Sequence, residues 1–258
     1  MDDGVAFLDV GEGQNLRRIA FRQQTGNGPG LVWLGGFSSD MKGTKAQALA
    51  DWAAAQGREM LRFDYSGHGE SSGDFTEGTI GEWLEDTVAV YTTQCHGPQI
   101  LVGSSMGGWL ALLLIRELVR MHATHRSAPV VGALLIAPAV DFTEELVWKR
   151  CPPEVRHDLD TKGRWYKPSQ YGEQPLLVTR KLIDEGRNHL MFDGLIEAGC
   201  PVRILQGVKD PDVPWQHAFD LVARLAQDDV VLTLVKDGDH RLSRPEDIER
   251  MLRVVAEF

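Results

Sequence analysis

Two segments of the chain have the spacing Gly-x-Ser-x-Gly, which can expose a serine hydroxyl as a nucleophile at a sharp turn. They are residues 103–107, centred on Ser105, and residues 69–73, centred on Ser71. Because the pattern occurs twice in one chain, it is weak evidence by itself. The sequence around each serine has to separate the two.

The surroundings favour Ser105. The apolar run "QILVG" leads into it, and a helical pattern follows from Met106 to about His122. A strand, a tight turn and a helix in this order place a nucleophile at a helix N-terminus, where free N–H groups favour an anion. Ser71 has glycines around it and no apolar run directly before it, which predicts a turn without chemistry.

A serine hydroxyl needs a base that removes its proton, and the base needs an acid that orients it. For a nucleophile in this context the chain order should be serine, acid, histidine. His240, in "KDGDHRLS" after the last predicted strand, is the predicted base. Asp210, in "GVKDPDVPW", is the predicted acid. We interpret Asp212 as a turn residue, and Asp141 stays an alternative acid.

An acyl-transfer reaction also needs donors for the oxyanion that forms. We predict the backbone N–H groups of Met106, directly after the nucleophile, and of Phe37, after the run "LVWLGG". The alternative is that the two glycines before Phe37 only end a strand.

The remaining histidines do not predict a metal site. His122 and His125 are three residues apart, which can suit a metal, but we expect them to be solvated at a helix end. His217 lies on an amphipathic pattern and is interpreted as a surface or packing residue. No supporting context surrounds the other four, His68, His96, His157 and His189. We therefore predict neither a metal nor an organic cofactor.

Short apolar runs alternate with amphipathic segments, which predicts a mostly parallel α/β sheet with right-handed crossovers and flanking helices. An antiparallel pair is possible at the start, over residues 5–10 and 16–23. Capping boxes predict helix starts at Thr44, Thr79 and Ser243. The predicted strands are residues 31–36, 59–65, 99–105, 130–138, 201–207 and 230–238.

Composition excludes several classes of protein. The chain has 258 residues, a net charge of −10 and 43% hydrophobic residues, which argues for a real core and against nucleic acid or anionic membrane as partners. Residues 109–115 form the longest strongly apolar stretch, too short to span a bilayer. The acidic N-terminus resembles neither a signal nor a transit peptide. Three widely spaced cysteines indicate a reducing compartment, so we expect a cytoplasmic protein.

One interval is too long for a single crossover helix. Residues 141–199 contain four prolines and several short helical patterns. We interpret them as a small helical cap inserted after the sixth strand, and residues 1–140 and 200–258 as the core. The alternative is an irregular excursion with no active role.

The cap carries aromatic residues among basic ones. We predict that Trp148, Trp165 and Tyr166 bind the substrate by contacting an acyl chain. An anionic leaving group would meet one of the nearby cations, Lys149, Arg150, Arg164 or Lys167. The alternative is a solvated helix face.

Several stretches together resemble the α/β-hydrolase superfamily. They are "LVWLGGFSSDMKGTKA", "RFDYSGHGESSG", "GPQILVGSSMGGWL", "GVKDPDVPW" and "DHR". In particular the chain is similar to the alpha/beta-hydrolase domain-containing protein 10 group of mitochondrial esterases and thioesterases and their bacterial relatives.

The resemblance implies a Ser–Asp–His hydrolase of acyl thioesters, such as S-palmitoyl cysteine, and of acyl glucuronide esters. By position, it assigns Ser105, Asp210 and His240 as nucleophile, acid and base. The mitochondrial members carry a transit peptide, so a mitochondrial matrix location here would require that a transit peptide had been removed.

Other functions use the same residues. A carbon–carbon bond hydrolase or a peptidase shares this triad, whereas dehalogenases and epoxide hydrolases of this fold need a carboxylate at position 105. A silent hydrolase scaffold that only binds ligands is a further alternative. We expect a small ester, an acyl thioester or an acylated protein as the substrate, and a monomer or homodimer.

Overall fold

The computed structural model describes residues 4–121, 127–168, 175–226 and 229–258. The strands are β1 (Ala6–Val10), β2 (Arg17–Gln24), β3 (Asn27–Leu34), β4 (Arg58–Phe63), β5 (Gln99–Ser104), β6 (Val130–Ile136), β7 (Arg164–Lys167), β8 (Leu176–Thr179), β9 (Val202–Gly207) and β10 (Val230–Val235). The α-helices are α1 (Thr44–Gln56), α2 (Ile80–Gln94), α3 (Met106–Met121), α4 (Pro153–Lys162), α5 (Arg180–Gly186), α6 (Trp215–Val222) and α7 (Pro245–Val255).

Eight strands form one sheet in the order β1-β2-β4-β3-β5-β6-β9-β10. The strands β1 and β2 pair antiparallel at one edge, and β2 is also antiparallel to β4. Every other pair is parallel. The predicted mostly parallel sheet with an antiparallel pair at its start is therefore confirmed.

Helices cover both faces of the sheet. Alternate residues of the central strands join two separate apolar clusters, one with α1 and α7 and the other with α2, α3 and α6. Burial on both faces explains why these strands are apolar nearly throughout. The carboxyl ends of the parallel strands lie along one edge, where ligands bind in such sheets.

The three predicted helices are present, each beginning within two residues of its predicted start, but only one of the three predicted capping residues caps its helix. Thr79 precedes α2, and its hydroxyl accepts a hydrogen bond from the Glu82 N–H at 3.2 Å. Thr44 is instead the first residue of α1, which Gly43 precedes, and Ser243 lies two residues before α7. A proline at the start of α7 fixes the helical φ there, so that helix begins without a side-chain cap.

The segment between β6 and β9 contains more than the predicted helices. Along the chain it contains a π-helical turn at Thr143–Trp148, then α4, β7, β8 and α5. The two short strands, β7 and β8, pair antiparallel with each other. Each of these strands has only four residues, which is too short for a period of two to stand out in the sequence. The described residues include no helix that is both long and apolar enough to cross a membrane.

Candidate active site

Ser105 lies in the turn between β5 and α3, in a left-handed backbone conformation with φ of 55°. Its N–H donates to the Ile136 carbonyl at 2.9 Å. Its own carbonyl accepts from the N–H groups of Gly108 and Ala139 at 2.9 and 3.1 Å. These bonds hold a conformation that is rare for a residue with a side chain, and such strain is common at functional sites.

The glycines on either side of Ser105 are required by close backbone approach. A Cβ atom on Gly103 would overlap the Gly107 carbonyl, and one on Gly107 would overlap the Leu34 carbonyl. The Gly-x-Ser-x-Gly spacing is therefore the steric condition for this turn.

The structure brings the three predicted residues together. The Ser105 Oγ atom lies 3.0 Å from His240 Nε2, and the His240 Nδ1 atom lies 2.8 Å from Asp210 Oδ2. The three residues follow β5, β9 and β10 in the chain. These strands all end at the carboxyl edge of the sheet, where β6 lies between β5 and β9 and β10 is next to β9. Ser105 and His240, which are 135 positions apart in the sequence, thus lie within hydrogen-bond distance of each other.

Four hydrogen bonds hold the Asp210 carboxylate. Its Oδ1 atom accepts from the N–H groups of Asp212 and Val213 at 2.9 and 2.8 Å, and its Oδ2 atom accepts from Gln206 Nε2 at 3.1 Å. Because these partners are donors only, the carboxyl group acts as an ionised acceptor, and the fourth bond is donated by His240 Nδ1–H. The His240 Nε2 lone pair then points to the Ser105 hydroxyl, 3.0 Å away, and can accept its proton.

The two other aspartates that were considered have different partners. The Asp212 carboxylate pairs with Lys167 Nζ at 2.6 Å, beyond its predicted role as a turn residue. Asp141 accepts hydrogen bonds from the N–H groups of Met191 and Phe192 at 2.8 to 3.0 Å. Burial raises the pKa of Asp141 to about 6. The structure thus pairs Asp210, and not Asp141, with the histidine.

The two predicted oxyanion donors border the same space. Phe37 and Met106 both line the cavity above Ser105, and within the described residues neither N–H makes a hydrogen bond. A Cβ atom added to Gly36 would lie 3.4 Å from the Ser105 Cβ atom. Gly36 therefore allows this loop to approach Ser105 closely. This close approach favours the oxyanion role over the alternative that the two glycines only end β3.

A cavity of about 430 Å³ opens above Ser105, within the usual range of about 300–1,000 Å³ for small-molecule sites. One wall is apolar and comes largely from the segment after β6: Ala139, Phe142, Leu146, Val147, Leu176 and Val178. The polar wall comes mainly from the ends of β3 and β10 and the start of α1: Ser38, Ser39, Thr44, Lys45, His240, Arg241 and Ser243. Lys167 and Asp212 are polar lining residues as well.

Lys45 is a cavity residue that sequence reasoning missed. Its Nζ atom donates to the Arg241 carbonyl, next to His240. Burial and the charge of Arg241 lower the pKa of Lys45 to about 8. Its stretch, "SSDMKGTKA", carries part of the family resemblance, but nothing in the pattern indicates that the lysine lines the same cavity as Ser105.

The three aromatic residues predicted to bind the substrate do not line the cavity. Trp148 packs among guanidinium groups, with those of Arg156, Arg180 and Arg187 at 4.7, 4.8 and 5.0 Å from its ring. The two residues before it in the π-helical turn face the cavity instead, so Trp148 lies on another side of the turn.

The other two aromatic residues sit on β7. Trp165 packs against the core, and Tyr166 is 53% exposed. Their neighbour Lys167 does line the cavity. Of the remaining predicted cations, Lys149 pairs with Glu145 at 2.5 Å, and Arg150 and Arg164 are exposed outside the cavity lining.

The second Gly-x-Ser-x-Gly segment lies in the loop between β4 and α2. The Ser71 hydroxyl donates to the Asp64 carbonyl at 2.6 Å and accepts from the Ala20 N–H at 2.8 Å. Ser71 therefore connects the loop to the end of β4 and to β2, and it lies outside the cavity lining.

The other histidines form no metal-binding group with acids or cysteines among the described residues. His217 is buried and bonds through Nε2 to the Val140 carbonyl at 2.9 Å, which agrees with a packing residue. His122 and His125 lie outside the described residues. His68 is buried against the loop that carries Phe37.

Residues 28–256 match the model of the alpha/beta hydrolase family. The chain belongs to the alpha/beta hydrolase family, and it is a hydrolase. The resemblance predicted from the sequence is confirmed.

Relatives sharpen the assignment. The chain is 35% identical over 250 residues to a Mus musculus protein named palmitoyl-protein thioesterase ABHD10, mitochondrial, covering 96% of this chain and 80% of the relative. The mouse structure of alpha/beta hydrolase domain-containing protein 10 superimposes with a TM-score of 0.85 at 32% identity, covering 98% and 97% of the two chains. A crystal structure of a proposed hydrolase from Agrobacterium vitis S4 gives a TM-score of 0.94 at 48% identity, covering 98% of both chains.

Proposed function

We propose that this hydrolase cleaves carboxylic esters or thioesters through an acyl intermediate on Ser105. The observation that carries the proposal is the hydrogen-bonded chain from Ser105 Oγ to His240, 3.0 Å, and from His240 to Asp210, 2.8 Å, beneath the cavity. Fold alone would not support a reaction, because this fold hosts several chemistries.

In the first half-reaction, Ser105 Oγ attacks the acyl carbon while His240 Nε2 takes the hydroxyl proton. Asp210 keeps the imidazole oriented and stabilises its positive charge. The N–H groups of Phe37 and Met106 bind the negatively charged oxygen of the tetrahedral intermediate. His240 then gives its proton to the leaving alcohol or thiol as the bond to the acyl carbon breaks.

In the second half-reaction, water enters where the leaving group was. His240 takes a proton from the water, whose oxygen attacks the acyl carbon of the acyl-Ser105 ester. Collapse of the second tetrahedral intermediate returns the proton to Ser105 Oγ and releases the carboxylic acid. Every proton in this scheme passes through His240.

The two walls of the cavity orient the substrate. An acyl chain suits the apolar wall of Phe142, Leu146 and Val147, since apolar surface leaves water there. The leaving group then lies on the side of His240 and Lys45. The relatives named as palmitoyl-protein thioesterases support a long acyl thioester as the substrate, either small or on a protein. The cation at position 45 favours an acyl glucuronide, with its carboxylate, as a second candidate.

The test is kcat/KM for matched acyl oxoesters and thioesters over a series of acyl lengths, with Ser105→Ala as control. A maximum at long thioesters supports a deacylase of lipid-modified thiols. A maximum at short oxoesters supports an esterase of small molecules and refutes the long-chain assignment. Activity that survives in Ser105→Ala refutes the mechanism.

Two other functions of the same site give different results. A carbon–carbon bond hydrolase or a peptidase would prefer diketones or amides to esters in the same series. A silent binding scaffold would not react with a fluorophosphonate, whereas the proposed nucleophile forms a covalent phosphonyl adduct that intact mass spectrometry detects on the wild type and not on Ser105→Ala.

Location and assembly complete the proposal. We infer a cytoplasmic protein, whereas the ABHD10 relatives are named as mitochondrial. Fractionation of cells that express the protein separates the two locations. Sedimentation tests the expected monomer or homodimer.

A further inference from the structure

We propose that His68 is a positioning residue that holds the loop of residues 36–39 in the conformation that keeps the Phe37 N–H available to the oxyanion. The inference rests on the proposed function, because it assigns a support to the donor that the reaction uses. His68 lies in the loop after β4 and does not line the cavity.

The bond that carries the inference joins His68 to the residue after Phe37. The Ser38 N–H donates to His68 Nε2 at 3.3 Å. Ser38 has a positive φ of 57°, and the Ser39 N–H donates to the Gly36 carbonyl at 3.2 Å. A bond from the first to the fourth residue with positive φ at the third is the pattern of a type II turn.

A type II turn with serine at its third position is strained, because glycine is the residue that favours this φ. Reversal of the Phe37–Ser38 peptide would give the commoner type I turn and remove that strain. The reversal would also turn the Ser38 N–H away from His68 and bring the Phe37 carbonyl towards the Nε2 lone pair. An acceptor at this position therefore favours the observed turn over the reversed one. The Phe37 N–H belongs to the preceding peptide, so the bond from Ser38 to His68 acts on this donor by fixing the position of its loop.

The tautomer of His68 fits this role. Its Nδ1 atom lies 3.1 Å from the Ser66 carbonyl, which can only accept, so Nδ1 carries the proton and Nε2 is the acceptor. Burial lowers the pKa of His68 and so favours the neutral ring. An imidazolium would carry a proton on Nε2 and could not accept from Ser38.

Aromatic packing fixes the ring in place. His68 is 4% exposed, and its ring meets those of Tyr65, Phe75 and Trp83 edge-on at centroid distances of 5.6, 5.0 and 5.1 Å. The Phe37 ring packs on two of these three rings, with centroid distances of 5.0 Å to Phe75 and 5.9 Å to Trp83. His68 and Phe37 thus belong to one aromatic cluster. A displacement of the His68 ring would displace Phe75 and Trp83, which also contact the Phe37 ring.

The experiment compares His68→Phe, which keeps a ring without the acceptor, with His68→Gln, whose side-chain oxygen can replace the acceptor. The measured quantities are kcat and KM for one neutral ester, the affinity for a boronic acid that mimics the tetrahedral intermediate, and the melting temperature. His217→Phe is the matched control, because His217 is also a buried histidine bonded to a backbone carbonyl but does not contact residues 36–39.

We expect His68→Phe to lower kcat by about 10-fold, less than the ~10²–10³-fold loss that follows removal of an oxyanion donor. The KM should stay within about twofold, and boronic acid affinity should fall in parallel with kcat. His68→Gln should recover most of both losses. His217→Phe should lower the melting temperature without this parallel loss.

The inference is overturned if kcat of a folded His68→Phe equals that of the wild type, or if kcat and melting temperature fall equally in the two histidine variants. If neither variant folds, nitrogen NMR of the wild-type ring decides at about pH 7. A proton on Nδ1 alone supports the inference, and a proton on Nε2 contradicts it. Failure of the proposed function itself is seen separately, as activity that survives in Ser105→Ala.

Discussion

The two Gly-x-Ser-x-Gly segments have the same spacing and different structures. Ser105 sits between β5 and α3 with its hydroxyl 3.0 Å from His240 Nε2. Ser71 sits in a loop and uses its hydroxyl to bond two backbone groups. The difference comes from what precedes each segment, since a buried parallel strand delivers Ser105 to the carboxyl edge of the sheet and a glycine-rich loop surrounds Ser71.

The loop that contains the second segment nevertheless supports the site, through residues that precede the segment. Asp64, at the start of its loop, accepts from the N–H groups of Met41 and Glu70 at 2.6 and 2.8 Å. His68 accepts from Ser38. The bonds from Met41 and Ser38 hold residues 36–43, the loop that carries Phe37 to the cavity. One Gly-x-Ser-x-Gly segment therefore supplies the proposed nucleophile, and the loop around the other supports the loop of Phe37.

The serine pair gives the largest expected difference. Ser105→Ala should lower kcat by about 10⁴–10⁶-fold, because no nucleophile remains. Ser71→Ala should keep kcat within a few-fold and lower the free energy of unfolding by about 1–3 kcal/mol, because the Ala20 N–H and the Asp64 carbonyl lose their partner. Single-turnover kinetics and urea unfolding measure the two effects. A severe loss of kcat in folded Ser71→Ala would contradict the distinction.

The two aspartates at strand ends sharpen the same comparison. Asp210→Asn should lower kcat by about 10³–10⁴-fold, because an amide at this position favours the wrong tautomer of His240. Asp64→Asn should mainly lower stability, since its amide NH₂ cannot accept from both Met41 and Glu70. The measurement is kcat together with the midpoint of urea unfolding. Equal kcat losses in the two variants would show that the loop between β4 and α2, which contains Asp64, itself takes part in the reaction.

Lys45, just after the supported loop, should give a smaller effect that depends on substrate charge. Lys45→Met should lower kcat/KM by about 10-fold for an ester with an anionic leaving group and by less than about twofold for a neutral one. Lys42→Met is the matched control, because Lys42 is exposed and does not line the cavity.

The same lysine predicts a pH dependence. With a pKa of about 8, Lys45 is charged below that pH and neutral above it. The preference of the wild type for the anionic ester should therefore decline as pH rises through about 8, and Lys45→Met should show no such decline. A preference that is constant from about pH 7 to about pH 9 would refute the assignment.

The smallest effect is expected in the segment after β6. Trp148→Ala should change KM for long acyl esters by less than about twofold, because the Trp148 ring packs among arginines outside the cavity. Leu146→Ala, in the apolar wall, should raise that KM by several-fold through loss of buried apolar surface. The opposite order of the two KM values would restore the sequence-based prediction for Trp148.

The positions of Ser105, Asp210 and His240 could be predicted because short stretches of sequence around each residue determine them. The glycines around Ser105 have steric causes within a few residues, and strand ends locate Asp210 and His240 at one edge. The segment after β6 was harder, because the direction of a side chain in a single π-helical turn depends on how the turn packs. Trp148 therefore looked like a substrate residue, while Leu146 and Val147 drew no attention.

By itself, the sequence determined the alternation of strands and helices outside the segment after β6, the choice between Ser105 and Ser71, and the three residues expected to act together. Those features follow from periodicity, glycine sterics and chain order, which are properties of short stretches. Only the tertiary structure decided that Lys45 lines the cavity, that His68 bonds to the loop of Phe37, and which residues after β6 form the apolar wall. Each of these depends on contacts between distant segments, and their geometry is fixed only when the whole sheet and its loops have packed.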